Sequence, residues 1–198
     1  IGPEAAAGLY RVFLREIERR LAGDPRWRFF WAFEPAEAPF TREIAPGREG
    51  FPQVDGDLGR RMAGAMAEAF RRGASRVSLI GSDLPHLPPA RIAEALRRLD
   101  CADLVLGPSH DGGYYLIAAR TVPPVFGGVP WGTPVVLERT LAAARREGLS
   151  VDLLPATYDL DSLADLKTLL DDPASFEIPE TRRSIVELVG HRGLSGQA

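Results

Sequence analysis

Short apolar runs alternate with longer amphipathic stretches along most of this chain, and that alternation restricts it to an α/β architecture. RVSLIGSD (76–83), DLVLGPS (103–109) and GGYYLIAAR (112–120) read as strands, as does the start of VDLLPATYDLD (151–161). WRFFWAFE (27–34) reads as an aromatic-rich strand. Between them lie helical patterns. Residues 3–23 carry a stripe of Leu9, Val12, Phe13, Ile17 and Leu21, with Pro3 suited to the first turn and Gly23 to the exit. Residues 57–73 repeat the period through Leu58, Met62, Met66 and Phe70 behind Asp57, a good N-cap. Further helices are predicted at 88–99, 133–148 and 162–172, and a weaker one at 181–190. Residues 35–56 are broken by proline and glycine and read as a long loop with room for one short ordered piece. The expected fold is therefore Rossmann-like, a mostly parallel sheet flanked by helices. One domain over 1–172 is expected, followed by a C-terminal extension over 173–198.

Composition removes several classes. With 198 residues the chain suits one globular domain, and its 17 Pro and 20 Gly are too scattered for a low-complexity chain. A lone cysteine, Cys101, excludes an internal disulfide framework and fits a reducing compartment, hence a cytoplasmic location. No apolar run is long enough for a membrane-spanning helix. Twenty-four basic residues against 27 acidic ones give a net charge of −3, which disfavours nucleic acid as a partner. His86, His110 and His191 are dispersed and lack cysteine partners at zinc spacing. The sequence contains no GxGxxG, P-loop or GxSxG, so dehydrogenase, kinase and hydrolase readings gain no support.

Parallel sheets bind ligands at the carboxyl ends of their strands, and acidic segments collect there. IGSDLPHLP (80–88) brings Gly81, Ser82 and Asp83 out of an apolar strand, where the Asp83 carboxylate either ligates a hard cation or serves a turn. PSHDGGYYLI (108–117) sets Asp111 before Gly112 and Gly113, either to admit a ligand close to the backbone or to turn a hairpin. His110 in the same segment reads as a loop residue rather than a base. In TYDLDSLADL (157–166), Asp159 and Asp161 share a face if extended. Asp161 or Ser162 can cap the following helix, which leaves a carboxylate for ligand work. Oxygen donors of this kind suit Mg²⁺ or Mn²⁺ bound to substrate phosphates. In FPQVDGDLGRRM (51–62), Gln53 could read a base, and the helix start at Asp57 could receive an anion or serve only as a cap. Trp131, in VPWGTP (129–134), reads equally as a stacking platform or as a core anchor.

The motif order PQ..GDLGRRM, IGSDLPHL, GPSHDGGYYLIA, PWGTP, YDLDSLADL resembles the bacterial GT-A-like glycosyltransferase group, over about residues 1–170. Some members of that group carry an arsenosugar-biosynthesis description, and the group is related to the molybdenum-cofactor and phospholactate nucleotidyltransferases. The resemblance implies a nucleotide-diphospho-sugar transferase fold that binds a nucleotide and a divalent metal. By position it makes Asp83 the principal metal ligand, Asp161 its later acidic partner and Asp159 a further one. Asp111, Gly112 and Gly113 would line the acceptor or phosphate side, and Gln53 and Asp57 the nucleotide side. Members begin with a strand and a basic glycine-containing loop, whereas this chain begins Ile1-Gly2-Pro3, after that point. The first strand is accordingly expected to be missing. Three functions follow: metal-dependent glycosyl transfer from a nucleotide-diphospho-sugar to an acceptor, nucleotidyl transfer with pyrophosphate release, or ligand binding without catalysis. Oligomeric state is not legible.

Overall fold

The computed structural model describes residues 2–43 and 45–194. Ile1, on which the expectation of a missing first strand rests, lies outside the described residues, as do the last four residues of the expected C-terminal extension. Helix α1 (Pro3–Leu21) forms as its apolar spacing requires. Leu9, Phe13, Ile17 and Leu21 fall four apart on one ridge and are all buried, while Arg19 and Arg20 complement the dipole in the last turn.

The main sheet contains β3 (Val77–Ile80), β4 (Leu104–Pro108), β5 (Tyr114–Ala119) and β6 (Val151–Leu153), in the order β3-β5-β4-β6. β5 runs antiparallel to both neighbours and β4 parallel to β6, so three of the four strands share one direction. Two three-residue strands, β1 (Trp31–Phe33) and β2 (Gly50–Pro52), pair in parallel as a separate sheet.

Alternation along β4 sorts the core onto two faces. Val105 joins Leu14, Ile17 and Leu21 of α1 with Ile92 and Ala95 of α4 (Pro89–Arg98). Leu104 and Leu106 face the other way, onto Met66 and Ala69 of α3 (Leu58–Arg71) and Ala143 and Ala144 of α5 (Val136–Arg146). Each fully buried Leu or Ile contributes about 1.5–3 kcal/mol relative to an exposed one. A third cluster unites Leu9 and Phe13 of α1 with Leu166 and Leu169 of α6 (Leu163–Asp171). Ile178, which follows a 3-10 turn (Pro173–Glu177), and Ile185 of α7 (Pro179–Leu194) complete that cluster.

Several boundaries differ from the sequence reading. The strand expected over 27–34 narrows to β1, because Phe29 turns edge-on to Trp31 and Phe30 lies under the guanidinium groups of Arg28 and Arg72. The supposed loop over 35–56 contains two ordered pieces, not one: a helical turn α2 (Phe40–Glu43), whose Phe40 packs on Trp31, and β2. Three residues between glycine and proline carry too little pattern to announce a strand, and pairing with β1 creates it. Among the described residues, no helix is long and apolar enough to cross a membrane.

Candidate active site

A cleft of about 970 Å³ opens between β1 and β3. At the carboxyl end of β3 the chain leaves the sheet through Gly81, Ser82 and Asp83, then drops Leu84, Pro85, His86 and Leu87 into the interior. Four carboxylates from three strand ends line this part of the cleft: Asp83, Asp111, Asp159 and Asp161. They arrive by different routes. Asp111 sits in the turn of the β4–β5 hairpin, where its Oδ1 accepts from the Gly113 amide at 2.8 Å. Asp159 follows the isolated bridge between Ser109 and Thr157, and its Oδ1 accepts from the Ser109 hydroxyl at 3.0 Å. Asp161 is exposed and leaves the capping of α6 to Ser162, which forms a reciprocal capping box with Asp165.

Asp83 is the most constrained of the four. Its Oδ1 is buried without a hydrogen-bond partner, and the Leu160 amide donates to its backbone carbonyl at 3.2 Å. Desolvation pushes the Asp83 carboxyl up to about 6, and repulsion from Asp159, Asp161 and Asp111 adds to it. Asp161 is shifted upward too, by desolvation first and then by Asp159 and Asp111. Among the described residues none of the four forms an ion pair, and no three His, Cys, Asp or Glu side chains converge into a preformed metal cage. Mg²⁺ needs no such cage, because it takes one or two carboxylates and completes its shell with waters and phosphate oxygens. An orphaned buried oxygen among mutually repelling carboxylates fits that donor set.

The remaining candidates divide. Gly113, Gln53, Ser82 and Trp131 line the cleft with Gly81. Gln53 spends one amide hydrogen on the Ala32 carbonyl at 3.0 Å, which ties it to β1 and reduces its capacity to read a base. The Ser82 hydroxyl meets Tyr10 Oη of α1 at 2.5 Å. Trp131 is half-buried and packs on Tyr114 and Phe126, so its anchoring role is realised while one edge faces the cleft. Gly59 lets α3 approach it: a Cβ there would lie 2.8 Å from the indole.

Asp57 and Gly112 do not reach the cleft. Asp57 caps α3, accepting from the Arg60 amide at 2.8 Å. Gly112 is structural: its φ of +92° and a Pro134 carbonyl oxygen 2.0 Å from any added Cβ exclude a side chain. His110 is an exposed loop residue, as expected.

Several residues at the site carried no readable signal. Ser109 and Tyr10 gain their contacts only through partners 50 and 72 residues away. His86 is 4% exposed, and burial pushes its imidazole down to about 4. Its place inside IGSDLPHLP was the only available hint.

The geometry can be set beside known proteins. The family model described as "Uncharacterized protein conserved in bacteria (DUF2064)" matches residues 16–133. No curated protein matches the chain. The chain is similar to a solved protein, a "putative nucleotide-diphospho-sugar transferase from Desulfovibrio desulfuricans G20". That similarity has a TM-score of 0.79 and 33% identity, over 94% of this chain and 87% of the other. With more than half its length matched by the family model and a close structural relative over nearly all of it, the chain belongs to the DUF2064 family, within the nucleotide-diphospho-sugar transferase superfamily.

Proposed function

We propose that this protein is a glycosyltransferase that takes its sugar from a nucleotide diphosphate, with Asp83 and Asp161 holding Mg²⁺ or Mn²⁺ and Asp159 beside them. The observation that carries the reading is the gathering of four carboxylates from three strand ends on one wall of the cleft, with Asp83 Oδ1 buried and unpartnered. The similarity to a solved protein named for nucleotide-diphospho-sugar transfer supports it. A bound divalent cation would neutralise the diphosphate as it departs.

The chain's own residues supply positioning and a proton acceptor. Asp111 keeps one carboxylate oxygen outside its turn bond and would accept the acceptor hydroxyl. Transfer breaks the bond between the anomeric carbon and the diphosphate oxygen and forms one to the acceptor oxygen, whose proton passes to Asp111. Gly113 lets backbone approach the ligand, Gly81 and Ser82 border the diphosphate, and the edge of Trp131 forms an apolar wall for the sugar.

Calorimetry of a panel of nucleotide sugars with Mn²⁺ tests the reading. Native protein should bind at least one of them in a Mn²⁺-dependent manner, and Asp83→Ala should abolish that binding. Unchanged binding and turnover in Asp83→Ala would overturn the assignment. Pyrophosphate release from nucleoside triphosphates, with no glycosyl transfer, would replace it with nucleotidyl transfer.

A further inference from the structure

Asp83 and Asp159 reach the cleft from segments far apart in sequence, and nothing covalent fixes their separation. Behind them, away from the cleft, lies a contact that joins the two segments directly. His86, three residues after Asp83, stacks on Tyr158, the residue before Asp159, with ring centroids 4.7 Å apart and planes inclined at 23°. His86 is buried, and neither of its nitrogens makes a well-formed hydrogen bond. Its ring is held mainly by its faces, and its polar contact with the Tyr158 backbone is weak.

Tyr158 is fixed in turn at its far end, where its hydroxyl donates to Asp172 Oδ2 at 2.9 Å. The His86 segment has its own brace: Arg20 of α1 donates to the Pro85 carbonyl at 2.7 Å and reaches Glu177 with its other nitrogen at 2.8 Å. Between the stacked rings and the carboxylates, one backbone bond crosses from the Leu160 amide to the Asp83 carbonyl.

We propose that His86 and Tyr158 are positioning residues, a stacked pair that sets the spacing between Asp83 and the Asp159–Asp161 segment from behind the site. This rests on the metal-holding role proposed above. Neither ring lines the cleft. A flat ring at position 86 is what the geometry demands, whereas its nitrogens make no well-formed hydrogen bond and only a weak approach to the Tyr158 backbone. Groups that orient ligating residues from outside commonly change metal affinity by about 10–100-fold when removed.

The experiment compares His86→Phe, His86→Leu, Tyr158→Phe and Tyr158→Leu with native protein. Mn²⁺ binding is followed by electron paramagnetic resonance, amide exchange at Leu160 by mass spectrometry or NMR, and thermal unfolding alongside. The two leucine variants should bind Mn²⁺ at least about tenfold more weakly and lose protection at Leu160. His86→Phe keeps the stack and should remain within about twofold of native on both readouts. Tyr158→Phe keeps the rings but frees the far end, and should fall between. Should a leucine variant fail to fold, the two phenylalanine variants carry the test.

Native Mn²⁺ affinity and Leu160 protection in folded leucine variants would overturn the proposal and leave the assignment of Asp83 intact. A tenfold loss in His86→Phe equal to that in His86→Leu would also overturn it, because the nitrogens rather than the ring would then matter. If native protein takes up no Mn²⁺ and Asp83→Ala changes nothing, the functional reading itself fails. The pair is then judged by Leu160 exchange alone, and unchanged protection overturns it.

Discussion

The two ends of the cleft treat charge in opposite ways. Before β3 the walls carry Arg26, Arg28, Arg61, Arg72 and Arg76, and each has a carboxylate partner: Asp24, Glu49, Glu34, Glu68 and Asp100 respectively. After β3 the walls carry Arg97 and four carboxylates, Asp83, Asp111, Asp159 and Asp161, none of which has a basic partner among the described residues. Exposed compensated pairs contribute little to stability and ask nothing of a ligand. A partly buried cluster of like charges costs free energy in the isolated protein and is relieved by protonation or by a cation. The difference separates a wall whose charges are satisfied within the fold from one whose charges are not.

The scaffold beneath the acidic end should be the most sensitive. Gly112→Ala forces a left-handed conformation on a residue with a side chain and drives its Cβ into the Pro134 carbonyl, so a loss of about 3–5 kcal/mol is expected in urea unfolding. A change under about 1 kcal/mol would mean that the hairpin turn is not fixed as described.

His86 gives a pH-dependent prediction. Its folded value of about 4 lies below the ordinary 6.5, so the unfolded chain binds more protons between those values. Its contribution is complete above about pH 6.5 and is lost as pH falls through about 4, amounting to about 3 kcal/mol. Desolvation is the main cause, with Arg20 acting in the same direction and Asp172, the Tyr158 backbone and Asp159 opposing it. His86→Phe should remove this loss, seen as a shallower dependence of unfolding free energy on pH than in native protein. Parallel profiles would contradict it.

Asp83 has the opposite sign. Its folded value of about 6 lies above the ordinary 3.8, so its stabilising state is the protonated one, and stability falls as pH rises through that interval. Asp83→Asn should therefore stabilise the metal-free protein by about 2–3 kcal/mol at pH 7.5, with the gain vanishing below about pH 4. A destabilised variant at pH 7.5 would show that the acidic end is not under electrostatic strain.

The smallest effect belongs to the compensated end. A double-mutant cycle on Arg28→Ala and Glu49→Gln should give a coupling below about 1 kcal/mol that shrinks further in about 0.5 M salt. A coupling above about 2 kcal/mol would erase the distinction between the two ends.

Residues near the sheet core were the most legible. The spacing of Leu9, Phe13, Ile17 and Leu21 predicted α1, and the apolar runs at 103–109 and 112–120 predicted β4 and β5, because burial periodicity is written locally. The candidate carboxylates were legible for the same reason: each stands where an apolar run stops. What each of them does was less so. Whether Asp161 or Ser162 capped α6 was open, and the structure assigns the cap to Ser162 through its reciprocal bonds with Asp165. Asp57 and Gly112 belong to motifs that point toward a ligand, yet one caps a helix and the other makes room for the Pro134 carbonyl.

The sequence by itself determined the order of strands and helices outside residues 35–56, the acidic strand ends and the family to which they point. Tertiary structure decided the reversed direction of β5, the pairing of β1 with β2 and the convergence of four carboxylates on one wall. It also decided the burial of His86 against Tyr158. The physical reason is range. Periodicity, caps and turns act over a few residues, whereas repulsion among Asp83, Asp111 and Asp159 and the stacking of rings 72 residues apart exist only once the chain has closed on itself.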